Sequence, residues 1–299
     1  MRVTQNTVSN MLTENLQLIM QTQATLEQES ATGLRVNAPG DDPVAAQQIL
    51  HLNSLNAATA QYASNITSGT ATLTMSDSAM SSMTNTLTSL KEVALEMSTG
   101  TVNATDMSAA VSQVQQLKSQ MISLGNTQVN GNYIFGGFKS GTPPFDATTG
   151  AFSGTDNNVS IQVDQNSSVT VATSGSQVIT GGTPPGSSGT DIMSIFDNLT
   201  TALSTGNTAG VQSQLTSIDS AISQVSVAQA TVGAGLNRLT AATSNGSSMQ
   251  LANTQMLSTI QDADFTQVVS DLSKQQTAYQ AALAAAAKVS QTSLLDYLK

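Results

Sequence analysis

Apolar residues recur along this chain mostly at alternating steps of three and four, the spacing of one helix face, and they do so over long runs. From Val44 to about Ser98 one seam holds Leu55, Tyr62, Gly69, Ser76, Met83, Leu90 and Met97. It interleaves with Thr59, Ile66, Leu73, Met80, Leu87 and Ala94 and keeps a heptad period without a slip. A single helix over that stretch spans roughly 80 Å, longer than a compact domain of this size is wide. The second long run starts at Thr208, with Val211, Ile218, Val225, Val232 and Leu239 against Leu215, Ile222, Gln229 and Leu236. Gly233, Gly235 and Gly246 each weaken that helix by about 1 kcal/mol relative to Ala. Shorter helical patterns cover Asp106 to about Gln128 and a stretch from about Asp191 to Gly206.

Residues 1 to about 34 carry a thinner seam of Leu12, Leu16, Ile19 and Leu26, weakened by the polar Gln23 and Ser30. GLRVNAPGDDP (33–43) must end that helix, because its Gly and Pro residues break helical geometry. Asp41, Asp42 and Pro43 are the cap and hinge of the next helix: an acidic N-cap, then Pro at the first helical position. The same two carboxylates are not read as a metal site, since hard cations need more oxygen ligands than this loop offers. The last stretch, Met256 to Lys299, contains neither Pro nor Gly. Its large apolar residues fall in rows about eleven apart: Leu257, Val268 and Tyr279; Leu272, Leu283 and Leu294; Phe265 and Leu298. An eleven-residue period runs nearly straight along one face. That stripe is too narrow to be a core alone, so the terminal helices need partners.

Between the helices the pattern changes. Asn130-Gly131 predicts a tight turn leading into a short aromatic strand. Over 139 to about 190 small and polar residues dominate, with Val159, Ile161 and Val163 alternating, then Val169 and Val171, as in half-buried strands. Asp146 to Gly150 reads as a hairpin loop, and GTPPGSSG (182–189) as an exit linker. The expected fold is mainly α. It is an elongated rod of long antiparallel coiled-coil helices from both chain ends, carrying a small β-rich insertion. The expected domains are 1–42 with 257–299 as terminal helices, 43–138 with 191–256 as a helical rod, and 139–190 as the insertion.

Composition narrows the function. Only 9% of the 299 residues are charged and 3% aromatic, with no Trp, which argues for thin helical layers over a bulky core. A net charge of −10 disfavours nucleic acid and anionic membrane as partners. The chain has no Cys and a single His, His51, within a helical run, so a thiolate metal site is excluded and the choices for an enzyme shrink to paired carboxylates or a Ser. No catalytic residue, cofactor or metal is expected. The longest apolar run, Ala281 to Ala287, is far short of a membrane span. The first residues lack the apolar core of a signal peptide, which by itself predicts a cytoplasmic protein.

Three motifs change that last expectation. GLRVNAPGDDPVAA (33–46), VGAGLNRL (232–239) and QDADFTQVVSDLSKQQ (261–276) resemble, in this order, segments of the flagellin superfamily. NGNYIFGGFKSGTPPF (130–145) and the ending SLLDYLK (293–299) are similar to the superfamily's hook-associated, junction-type members rather than to filament flagellin. The segment LTSLKE (87–92) departs from the receptor-sensed flagellin pattern, so no immune recognition is carried over. The resemblance implies an extracellular structural protein of the bacterial flagellum, exported through the flagellar type III pathway without a cleaved signal peptide. It implies terminal helices forming an assembly tube, with a rod and an outer domain beyond it. The implied partners are neighbouring copies, a hook-side hook-associated protein, flagellin, and an export chaperone on the C-terminal region. The expected assembly residues are Leu12, Leu16, Ile19, Leu26, Phe265, Val268, Leu272, Tyr279, Leu283, Leu294 and Leu298. Leu272, Tyr279 and Leu283 are the expected chaperone contacts.

Overall fold

The computed structural model describes residues 5–99 and 103–297. In chain order the elements are helix α1 (Gln5–Thr32), α2 (Pro43–Met97), α3 (Ala104–Gly125), strands β1 (Gln128–Val129), β2 (Asn132–Tyr133), β3 (Val159–Asp164) and β4 (Ser167–Ala172), one π-helical turn (Ser176–Thr180), then α4 (Ile192–Ser204), α5 (Thr208–Gln261) and α6 (Phe265–Tyr297). The chain forms two compact units. The smaller is Met1–Ala58 with Met249–Lys299, and the larger is Thr59–Ser248.

In the larger unit, α2 and α5 run antiparallel. Three polar contacts set their register: Gln212 Nε2 to the Ser98 carbonyl at 3.2 Å, Lys91 Nζ to Asp219 Oδ1 at 2.6 Å, and Gln229 Nε2 to Asp77 Oδ1 at 3.0 Å. Numbers fall on one helix as they rise on the other. Between and beyond these contacts the heptad seam is closed: Leu73, Met80, Met83, Leu87 and Leu90 share one core with Val211, Ile218, Val225, Val232 and Leu239. A further row at Ala79, Thr86 and Val93 is buried too, so α2 is covered over a wider face than two seam rows. Ala110, Val114, Met121 and Ile122 of α3 belong to the same core. The α4 helix is strongly one-sided, burying Ile192, Ile195, Phe196, Leu199 and Leu203 at helical spacing, and it packs on α3. Asp191 caps it by accepting from the Met193 N–H at 3.0 Å, and Asp197 pairs with Lys118 of α3 at 2.6 Å.

The strands form two separate antiparallel pairs, β1 with β2 and β3 with β4. Asn130 and Gly131 join the first pair with φ of 51° and 80°, the left-handed pair of angles that a two-residue hairpin turn requires. The β3–β4 hairpin drives Val163, Val169 and Val171 into the core of the long helices. Gly69 of α2 makes room for it: a Cβ there would lie 2.5 Å from Ile161 Cδ1 and 2.8 Å from Val171 Cγ1. Phe135, Phe145, Val178 and Ile179 join the same core, so the β-rich stretch is built onto the helices without a hydrophobic centre of its own. The segment 182–189, expected as a linker, is instead a closed loop. Gly186 N–H donates to the Thr180 carbonyl at 2.7 Å and Ser188 N–H to the Gly181 carbonyl at 2.8 Å. Gln224 of α5 finishes the closure, accepting from the Thr190 N–H and donating to the carbonyls of Val178 and Thr190. Asn126 does the same for Phe145, with its amide bonded to both the N–H and the carbonyl of that residue. Buried backbone groups in irregular segments need such partners, and here a side chain on α5 and one just past the end of α3 supply them.

The α5 helix is continuous through Gly233, Gly235 and Gly246. Gly235 admits Leu73, whose Cδ1 would lie 3.0 Å from an added Cβ, whereas nothing lies within 4 Å of one at Gly233.

Candidate assembly surface

In the smaller unit, the C-terminus of α1, the loop after it and the break between α5 and α6 are stitched together. Gly33, with φ of 72°, ends α1, its N–H donating to the Glu29 carbonyl. Arg35 N–H donates to the Gln261 carbonyl at 2.7 Å, and Ala263 N–H to the Gly33 carbonyl at 2.9 Å. The Arg35 guanidinium donates to the Ile260 carbonyl at 2.8 Å, placing a cation at the negative end of α5. Two sequence motifs far apart in the chain, GLRVN and QDAD, thus meet backbone to backbone. Beneath them Val36, Ala45, Ala46 and Ile49 form a small apolar cluster with Leu257 and Ile260.

Asp41 and Asp42 act within this joint. Asp41 Oδ2 accepts from the N–H groups of Asn37 and Ala38, shaping the loop. Asp42 Oδ1 accepts from Val44 and Ala45 N–H, capping α2 ahead of Pro43, and its other oxygen lies 3.7 Å from Arg35. The bond from the Ala45 N–H, with help from Val44 and Arg35, holds the Asp42 carboxyl below the usual carboxylate range. Asp264 caps α6 in the same way, through Thr266 and Gln267. Nearly two turns into α6, Asp271 is also lowered, first by Lys274 and then by Gln267.

α1 and α6 pair along their length. On α1 the half-buried row is Leu12, Leu16, Ile19, Gln23, Leu26 and Ser30. On α6 it is Val268, Leu272, Gln275, Tyr279, Ala282 and Ala286, with Val268 fully buried. Both rows step by four and three, so α6 follows a heptad seam and not the eleven-residue rows read from its large side chains. The reason is packing distance: small Ala282 and Ala286 face the partner helix, while the bulkier Leu283 and Phe265 stay 44% and 62% exposed. The seam is polar in the middle, where Gln275 Nε2 donates to the Ile19 carbonyl at 3.3 Å. The side chain of Leu294 and all of Leu298 lie outside the described residues.

The remaining faces of this unit are unusually apolar. Fifteen large hydrophobic residues are exposed among the described residues, and eleven of them lie in this unit. They include Met11, Leu18 and Met20 on α1 and Phe265, Val269 and Leu283 on α6. Val269 and Leu283 fall in one row, two heptads apart, directly beside the seam. His51 is exposed on α2. No cluster of three or more His, Asp or Glu side chains could hold a metal ion among the described residues. Nor is any described helix long and apolar enough to cross a membrane.

Residues 3–140 match the bacterial flagellin N-terminal helical region, and residues 215–298 match the bacterial flagellin C-terminal helical region. This chain belongs to the bacterial flagellin family. The flagellar hook-associated protein 3 of Salmonella typhimurium is 30% identical over 274 residues, covering 86% of this chain and 86% of that protein. The Escherichia coli protein of the same name is 30% identical over 290 residues, covering 91% and 92%. A putative flagellar hook-associated protein from Vibrio parahaemolyticus has the same fold, with a TM-score of 0.66 at 22% identity over 74% of this chain and 99% of that one. The chain is a structural component of the flagellum. Its motifs sit at working positions in the fold. In VGAGLNRL, Val232 and Leu239 are core, Gly235 is a close approach, and Arg238 donates to the Ser168 carbonyl of β4 at 3.0 Å. Arg35, Arg238, Asn126 and Gln224 were not singled out from the sequence, because their partners are backbone carbonyls or amides far along the chain.

Proposed function

We propose that this protein forms a junction layer between the hook side of the flagellum and its filament, and that the smaller unit completes its burial against neighbouring copies. The observation that carries this reading is where exposed apolar surface sits: among the described residues, eleven of fifteen exposed large hydrophobic residues fall in a unit of about a third of the chain. Patches of this kind mark surfaces that expect a partner. The seam residues Leu12, Leu16, Ile19 and Leu26 with Val268, Leu272 and Tyr279 hold α1 against α6. Phe265 and Leu283, beside that seam, face the next subunit; Leu294 and Leu298 are proposed as assembly residues on the sequence pattern alone. In this reading residues 1–42 with 257–299 build the inner tube, 43–138 with 191–256 the rod, and 139–190 the outer surface.

The partners follow from the same reading: a hook-associated protein on one side, flagellin on the other, and an export chaperone on the C-terminal helix beforehand. Leu272 and Tyr279 line the seam toward α1, so a chaperone reaches them, with Leu283, only while α1 is away. That suits a chain held unpaired before passage through the flagellar export channel to the cell exterior. The alternative is that the chain is a filament subunit, which the shared family regions also support.

A strain lacking the gene separates the two. A junction protein leaves complete hooks and filament protein shed into the medium, restored by the wild-type gene. A filament subunit leaves hooks with no shed filament protein. Antibody labelling confined to the hook tip supports the first reading, and labelling along the filament refutes it.

A further inference from the structure

The chain contains two Asn-Gly pairs, Asn130-Gly131 and Asn245-Gly246, and the fold treats them in opposite ways. We propose that Asn130 is a site of spontaneous deamidation in the folded protein, while Asn245 is protected. In this reaction the backbone nitrogen of the following glycine attacks the asparagine side-chain carbonyl carbon. A C–N bond forms, the bond to the side-chain nitrogen breaks, and ammonia leaves a five-membered succinimide. Water then opens either succinimide carbonyl, yielding aspartate or isoaspartate. The balance is one amide and one water converted to one carboxylic acid and one ammonia, with no oxidant or reductant.

Reaction needs an accessible glycine nitrogen and a backbone free to bring it onto the side chain. Asn130 is exposed, and a side chain added at Gly131 would meet nothing within 4 Å. The cross-strand partners are Gln128 with Tyr133 and Val129 with Asn132, so the Gly131 N–H lies outside the ladder. Each strand is only two residues long, and so short a hairpin opens easily. Asn245 is exposed as well, but Gly246 lies inside α5, many residues from either end of Thr208–Gln261. Its nitrogen is committed to the helix ladder, and freeing it means opening the middle of that helix.

Conversion would change the surface. Asn130 lines a groove of about 390 Å³ with Asn132, Tyr133, Ser68 and Thr72, and none of the lining residues is charged. Aspartate would place a carboxylate there. Isoaspartate would also lengthen the turn backbone by one methylene, and hairpin register depends on turn length.

The test incubates full-length protein under mildly alkaline conditions, folded and in denaturant, and maps both peptides over time by mass spectrometry that separates aspartate from isoaspartate. In the folded protein Asn130 is expected to convert at least about tenfold faster than Asn245, the ratio produced by about 1.4 kcal/mol in opening free energy. In denaturant the two rates converge. An Asn130→Gln variant loses the fast-converting peptide and no other. Equal rates in the folded protein, faster loss of Asn245, or conversion of Asn130 only after denaturation would each overturn the proposal.

Discussion

Two leucines separate what holds the single molecule together from what awaits a neighbour. Leu90 on α2 is fully buried in the core of the larger unit, whereas Leu283 on α6 is 44% exposed. Truncating a buried leucine to alanine removes its transfer free energy and leaves a cavity, together about 3–5 kcal/mol. At about 2–4 °C per kcal/mol for a unit of this size, Leu90→Ala should lower the melting temperature by roughly 6–20 °C. Leu283 has already realised about half of the roughly 2 kcal/mol its full burial is worth, so covering the rest contributes about 1 kcal/mol per copy. Leu283→Ala should therefore move the melting temperature by no more than a few degrees, and weaken a subunit's hold on its place about fivefold. Leu283→Glu should do more to assembly, because a carboxylate would be driven into an apolar contact. Its exposed position in the single molecule leaves melting little changed. The assays are circular-dichroism melting of purified protein and antibody labelling of hooks from a strain carrying each variant. If Leu283→Glu melts as badly as Leu90→Ala, the residue belongs to the monomer's own core and the reasoning fails. Wild-type labelling of hooks by Leu283→Glu would refute it from the other side.

The Asp42 cap makes stability depend on acid. Its folded carboxyl titrates below the unfolded value, so its contribution is present above the ordinary carboxylate range and is lost as pH falls through the lowered folded value. Asp42→Asn keeps the capping oxygen, so the difference in urea midpoint between wild type and variant should shrink toward zero on acidification, whereas Asp42→Ala loses the cap at every pH. Gln224 closes the 182–189 loop with three hydrogen bonds, and Gln224→Ala should cost about 2–4 kcal/mol by leaving buried backbone groups unpaired. Gln224→Glu should also destabilise, since it sets an acceptor against the Val178 and Thr190 carbonyls. Faster amide exchange over 176–190 in both variants, with the α2–α5 core unchanged, is the expected signature.

Some of this could be read locally. Heptad spacing from Thr59 to Met97 depends only on residues along one helix, and every seam position there faced inward apart from half-buried Tyr62. The Asn130-Gly131 turn and the alternation of Val159, Ile161 and Val163 were equally legible, because positive φ and a two-residue period are properties of a few neighbouring residues. Other features were not legible. On α6 the largest apolar side chains suggested an eleven-residue face, yet close packing against α1 selected Ala282 and Ala286. Side-chain size reveals which residues are apolar, but not which of them a neighbouring helix can approach. The clamps of Asn126, Gln224 and Arg35 were silent for a different reason. Each pairs with a backbone group whose need arises only once distant segments are brought together.

The order of elements, the helix caps and the rows of the long helices were therefore determined by the sequence itself, since they rest on backbone propensity and on periodicity within one element. Which face of α6 is covered, how GLRVN meets QDAD, and where apolar surface is left over were decided by the tertiary structure. Those outcomes depend on distances between elements, and no spacing along a single strand of text encodes them.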